Sequence, residues 1–88
     1  NTNDPVFATK QLEIYPNPTS ETLFVITGEK FNKPNYWITD LTGRTIQSGT
    51  LNNNRLDVKS LSKGIYFIRF EENGNAETKR FIKSDNAK

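Results

Sequence analysis

Apolar residues in this chain come in short blocks at intervals of roughly ten residues, each closed by Pro, Gly, Asn or Asp. The first block, Lys10–Tyr15, sets Leu12 and Ile14 between Gln11 and Glu13, the two-residue alternation of a strand with one buried face. Tyr15-Pro16-Asn17-Pro18-Thr19-Ser20 ends it, because two prolines fix φ and remove two N–H donors. Thr22–Thr27 is β-branched and aromatic with apolar groups on both faces, which predicts a central strand closed by Gly28-Glu29. Tyr36–Asp40 follows Pro34-Asn35 and holds the single tryptophan. Of Tyr36 and Trp37 at least one must face inward, and a tryptophan on the third strand of a sandwich is commonly core.

Asp40-Leu41-Thr42-Gly43 is a specific turn signal. Asp suits the first position of a type I turn, where its carboxylate accepts nearby backbone N–H groups, and Gly43 takes the left-handed conformation that makes a bulged hairpin. Arg44–Gly49 is then the returning strand, with Ile46 expected to point inward. Asn52-Asn53-Asn54 turns the chain again, and Arg55–Lys59 alternates with Leu56 and Val58 inside. Gly64–Glu71 is the strongest strand pattern, and Asn73-Gly74 is the preferred dipeptide for a two-residue hairpin into Asn75–Lys83.

Residues 1–10 read as a linker, 11–83 as one folded domain and 84–88 as a polar tail. No stretch sustains the apolar face of a helix. The pattern therefore predicts an all-β protein, a seven-stranded antiparallel immunoglobulin-like β-sandwich, with a small barrel as the rival. Leu61-Ser62-Lys63-Gly64-Ile65-Tyr66 resembles the corner before the sixth strand of such sandwiches, where a Tyr hydroxyl bonds back to upstream backbone.

Composition narrows the chemistry. With 88 residues there is room for one core, and with no Cys, His or Met the chain has no disulfide, thiol nucleophile, histidine-based triad, usual zinc site or haem ligand set. The charge of +2 is spread with both signs interspersed, so no phosphate-tracking patch forms and no nucleic acid partner is expected. No apolar run reaches the roughly 18 residues of a membrane span, so no membrane insertion is expected. The opening Asn1-Thr2-Asn3-Asp4-Pro5, with neither Met nor apolar leader, is expected of a piece of a longer polypeptide.

Catalysis finds little support. Glu71 and Glu72 are adjacent, so on a strand they face opposite ways and cannot share a substrate. Asp40, Asp57 and Asn52–Asn54 offer oxygen ligands without calcium-loop spacing and are better read as turn formers. No cofactor and no metal site is expected. Tyr15, Tyr36 and Trp37 offer ring faces for stacking on a sugar if they are exposed. The basic residues Lys79, Arg80 and Lys83 suit a terminal edge strand that must resist aggregation.

Four segments together resemble a known family. Tyr15-Pro16-Asn17-Pro18 with Leu23-Phe24-Val25 after it, Asp40-Leu41-Thr42-Gly43-Arg44, Leu61-Ser62-Lys63-Gly64-Ile65-Tyr66-Phe67-Ile68, and Lys79-Arg80-Phe81-Ile82-Lys83 are similar, in order and spacing, to the C-terminal sorting domain of type IX secretion, type A. The resemblance covers about residues 12–83. It implies a non-catalytic secretion signal in a protein of the Bacteroidetes, which directs a covalently attached N-terminal cargo through the outer-membrane translocon. The implied route runs through the periplasm to the cell surface or the medium. The implied partners are the type IX translocon, its outer-membrane shuttle proteins and a surface sortase that removes the domain. Lys79, Phe81, Ile82 and Lys83 are the residues expected to be recognised. Pro16, Asn17, Pro18, Asp40, Gly43, Arg44, Leu61, Gly64 and Tyr66 are expected to serve mainly the fold. Members of the family usually stop near the final Lys, whereas Ser84–Lys88 continue here.

The alternative is an accessory carbohydrate-binding or adhesin-like module. It predicts exposed, coplanar aromatics, while the sorting reading predicts that Trp37 and Tyr66 are largely buried.

Overall fold

A computed structural model describes residues 11–85; the expectations for the linker at 1–10 and for the last residues of the tail concern positions outside that range. The strands are β1 (Glu13–Tyr15), β2 (Thr22–Ile26), β3 (Asn35–Thr39), β4 (Thr45–Thr50), β5 (Arg55–Asp57), β6 (Gly64–Glu72) and β7 (Asn75–Lys83). They form two antiparallel sheets, β1-β2-β5 and β4-β3-β6-β7. The all-β reading and its seven strands hold. The fourth strand lies beside β3, whereas a constant-type immunoglobulin domain places it with the first, second and fifth.

Alternation builds the core. Leu23 and Val25 of β2 and Leu56 of β5 face Tyr36, Ile38, Tyr66, Ile68, Phe70 and Phe81 of the other sheet. Leu12, Phe31, Leu51, Val58 and Leu61 close the ends from just outside the strands. As predicted, β2 is central in its sheet, but only its inner face is deeply buried: Ile26 is exposed, and Phe24 is half-buried under a stacked Tyr15, with ring centroids 5.4 Å apart.

The turns behave as their residues dictate. Asn73 and Gly74 both have positive φ and close the hairpin in which Glu72 pairs with Asn75. The Tyr66 hydroxyl donates to Ser62 O at 2.7 Å, which completes the expected corner before β6. The adjacent acidic pair divides as the strand geometry requires. Glu71 pairs with Arg69, while the Glu72 carboxylate accepts the N–H groups of Asn32 and Lys33 at 2.6 and 3.1 Å and so ties down the β2–β3 connection.

Two expectations about facing are corrected. Ile46 does not point inward but is 39% exposed. Ile38 pairs with Gln47 while Thr39 pairs with Thr45, so Ile46 is the extra residue of a β-bulge, and the inward place goes to Gln47. There the Gln47 amide donates to the Tyr36 hydroxyl and to Asp57 O, both at 3.3 Å, which stitches the two sheets. Trp37 is not a core residue either. Its neighbours Tyr36 and Ile38 take the inner face, which leaves the indole half-buried on the outer face of the four-stranded sheet.

Candidate recognition surface

The last strand carries the residues expected to be recognised, and its alternation sorts them. Phe81 is 0% exposed and stacks on Tyr66 in the core, with centroids 5.6 Å apart, and Lys83 is 2% exposed. The Lys83 ammonium donates to Ser84 O. Ile82 faces outward, 36% exposed, directly across the strand pair from an equally exposed Ile65. Lys79 is half-buried and holds the Glu77 carboxylate at 3.3 Å. Of the four, only Ile82 is therefore exposed in the folded domain, beside an exposed Arg80; Lys79 shares its side of the strand with Phe81 and Lys83 and is half-buried.

The chain after β1 shapes the edge of β7. Pro16, Asn17 and Pro18 are exposed. Asn17 uses both ends of its side-chain amide on β7, donating to Arg80 O at 3.2 Å and accepting from Ile82 N at 2.9 Å. Thr19 continues the contact as a parallel bridge to Lys83. Its N–H donates to Ile82 O at 2.9 Å, and its carbonyl accepts from Ser84 N at 2.8 Å. Nothing in the local sequence announced these bonds, because their partners lie 63 or more residues apart.

The Asp40 turn lies at the same end. Asp40 Oδ1 accepts the Thr42 hydroxyl at 2.6 Å and the N–H groups of Thr42 and Arg44 at 2.9 and 3.1 Å, and Gly43 holds φ at 90°. The Thr42 hydroxyl, joined by the Arg44 and Thr42 N–H groups and the Arg44 charge, holds the Asp40 carboxyl below its ordinary 3.8 against the opposing effect of desolvation. A carboxyl whose folded pKa is depressed stabilises the fold above its unfolded pKa and loses that contribution as pH falls through the folded value. Asp40→Asn should therefore melt below the parent at neutral pH, and the gap should narrow in acid below the ordinary 3.8. Thermal melts at the two pH values check this, and a gap unchanged in acid would rule the account out.

A shallow depression joins this turn to the tyrosine corner, lined by Asp40, Arg44, Gln47, Leu61, Ser62 and Tyr66 among others. Gly64 pairs with Lys83, and Lys63 lies 3.6 Å from Asp85. The four motifs, scattered from Tyr15 to Lys83, thus gather at one end of the sandwich. The structure places Pro16, Asn17 and Pro18 over the edge of β7, Asp40, Gly43 and Arg44 in the β3–β4 turn, and Leu61, Gly64 and Tyr66 at the corner.

This one-ended arrangement belongs to a sequence that matches the family of secretion system C-terminal sorting domains over residues 13–84. The chain belongs to that family. Compared with curated proteins it shows no match. The sorting domain is a signal of the type IX secretion system, its family is non-catalytic in general, and its role brings it into contact with the secretion machinery. Proteins that carry such a tail are exported to the cell surface or secreted. Among the described residues there is no group of three or more acidic side chains placed to hold a metal ion, and no helix long and apolar enough to cross a membrane.

Proposed function

We propose that this sorting domain acts as a folded, non-catalytic address. It directs the protein joined to its N-terminus from the periplasm through the type IX outer-membrane translocon, and a surface sortase then removes it. The family match over nearly the whole chain carries this reading. The gathering of all four motifs at one end supports recognition of that end by translocon or shuttle proteins, with the exposed Ile82 and the half-buried Lys79 as its members on the last strand. The carbohydrate-binding alternative draws on the half-buried Trp37 and Phe67, which line a depression on the outer face together with Arg69 and Glu71.

The test is a fusion of residues 1–88 behind a signal peptide and a fluorescent protein, in a host with a working type IX system. Fluorescence should reach the surface or the medium, and Lys79→Gln should reduce it while the purified variant keeps its melting temperature. Retention of a folded parent fusion in the periplasm would overturn the sorting reading and make glycan binding the next assay.

A further inference from the structure

Strand β7 ends its sheet, so one row of its backbone N–H and C=O groups has no neighbouring strand. Over Arg80–Ser84 that row is nevertheless occupied: Arg80 O and Ile82 N by the Asn17 amide, and Ile82 O and Ser84 N by the Thr19 backbone. A side-chain amide presents one donor and one acceptor, so Asn17 copies the pairing a neighbouring residue would supply. The segment that does this is an arm, not a strand with a ladder of its own: Pro16, Asn17 and Pro18 are exposed, while Thr19 at its end is buried and anchored, its hydroxyl donating to Thr22 O at 2.6 Å. Its grip consists of single hydrogen bonds, two of them made by an exposed side chain, which a partner's backbone can replace one for one.

We propose that the Pro16–Pro18 arm, held down by Asn17 and hinged on the buried Thr19, is a displaceable cap, and that the edge beneath it, Arg80–Ile82, is a strand-addition site for an extended segment of the export machinery. The inference rests on the sorting reading. Strand addition supplies affinity through the main chain and specificity through alternate side chains. On the outer face the edge offers Ile82 beside Ile65, flanked by the exposed Arg80, so it fits a segment with an apolar side chain next to an acidic one. While the arm is in place, the same groups are closed to a second copy of the chain.

The test separates backbone from side chain. Asn17→Ala loosens the cap. In the purified protein, amide exchange at Ile82 should quicken at least tenfold while exchange in β3 and β6, and at Ser84 beneath the buried Thr19, stays unchanged, and the fusion should be exported as well as the parent or better. Ile82→Pro deletes the edge donor without touching the β6–β7 ladder, because that N–H points at the arm; it should cut export at least tenfold, while Ile82→Ala, which keeps the donor and gives up only the side-chain contact, should lose clearly less. Arg80→Pro beside Arg80→Ala serves if Ile82→Pro does not fold.

Equal export of the proline and alanine variants would overturn strand addition. Loss of export from a folded Asn17→Ala variant would overturn displacement and make the arm part of the surface that is read. Retention of the parent fusion would instead sink the sorting reading; the cap is judged separately by the exchange rates, and unchanged exchange at Ile82 in Asn17→Ala overturns it.

Discussion

Phe81→Ala is expected to cost about 3–5 kcal/mol, the usual range for emptying a buried aromatic site. The ring is fully buried, stacks on Tyr66 and sits between the sheets near the end of the last strand. A domain of this size has roughly 4–13 kcal/mol of total stability, so the loss removes a large share of it. Urea unfolding should show a much lower midpoint with little change in slope. Phe24→Ala is the control: it removes the same ring from a half-buried position on the outer face and should cost markedly less. A loss below about 1 kcal/mol for Phe81→Ala would mean that the core does not depend on the last strand. The same argument bears on export experiments. A chain cut after Arg80 loses Phe81 together with any recognition residue beyond it, so missing export cannot separate an unfolded domain from an unread one.

Gly64→Ala should cost about 1–3 kcal/mol, for a different reason. Gly64 opens β6 at φ 156°, a region that side-chain-bearing L residues rarely enter, and it pairs with Lys83 two positions before Tyr66 turns inward to the Ser62 carbonyl. A Cβ placed there meets no atom within 4 Å, so the cost is backbone strain and not collision. The mirror-image residue discriminates. D-alanine at position 64, introduced by chemical synthesis, favours positive φ and should restore the parent's stability. Equal losses for the L and D residues would assign the effect to the surroundings of the side chain.

The sequence made legible whatever is decided within a few residues. The Asp40 turn, the Asn73-Gly74 hairpin, the tyrosine corner and the alternation of Leu56 with Val58 each follow from local conformational preference, and each is present. Facing was harder. A period of two says that Tyr36 and Trp37 point opposite ways but not which way, and packing gave the interior to Tyr36. One bulge residue was enough to turn Ile46 outward, and alternation cannot show where a bulge falls. The grip of Asn17 and Thr19 on the last strand was hidden most fully. Pro16 and Pro18 mark a break in regular structure, but the partners of that break are decided only when distant segments meet. The burial of Lys83 was missed for the same reason: on a charged, terminal-looking strand nothing local predicts that its side chain turns inward.

The contact between the arm and the last strand joins residues made early in the synthesis of the domain to residues made more than 60 positions later. The final ring of the interior, Phe81, is also among the last described residues to leave the ribosome. A chain released short of that point has no way to assemble the end of the sandwich where the motifs meet. On the proposed reading, an address written in this form certifies completion: it becomes readable only on polypeptides that were translated through to it, and unfinished cargo goes unmarked.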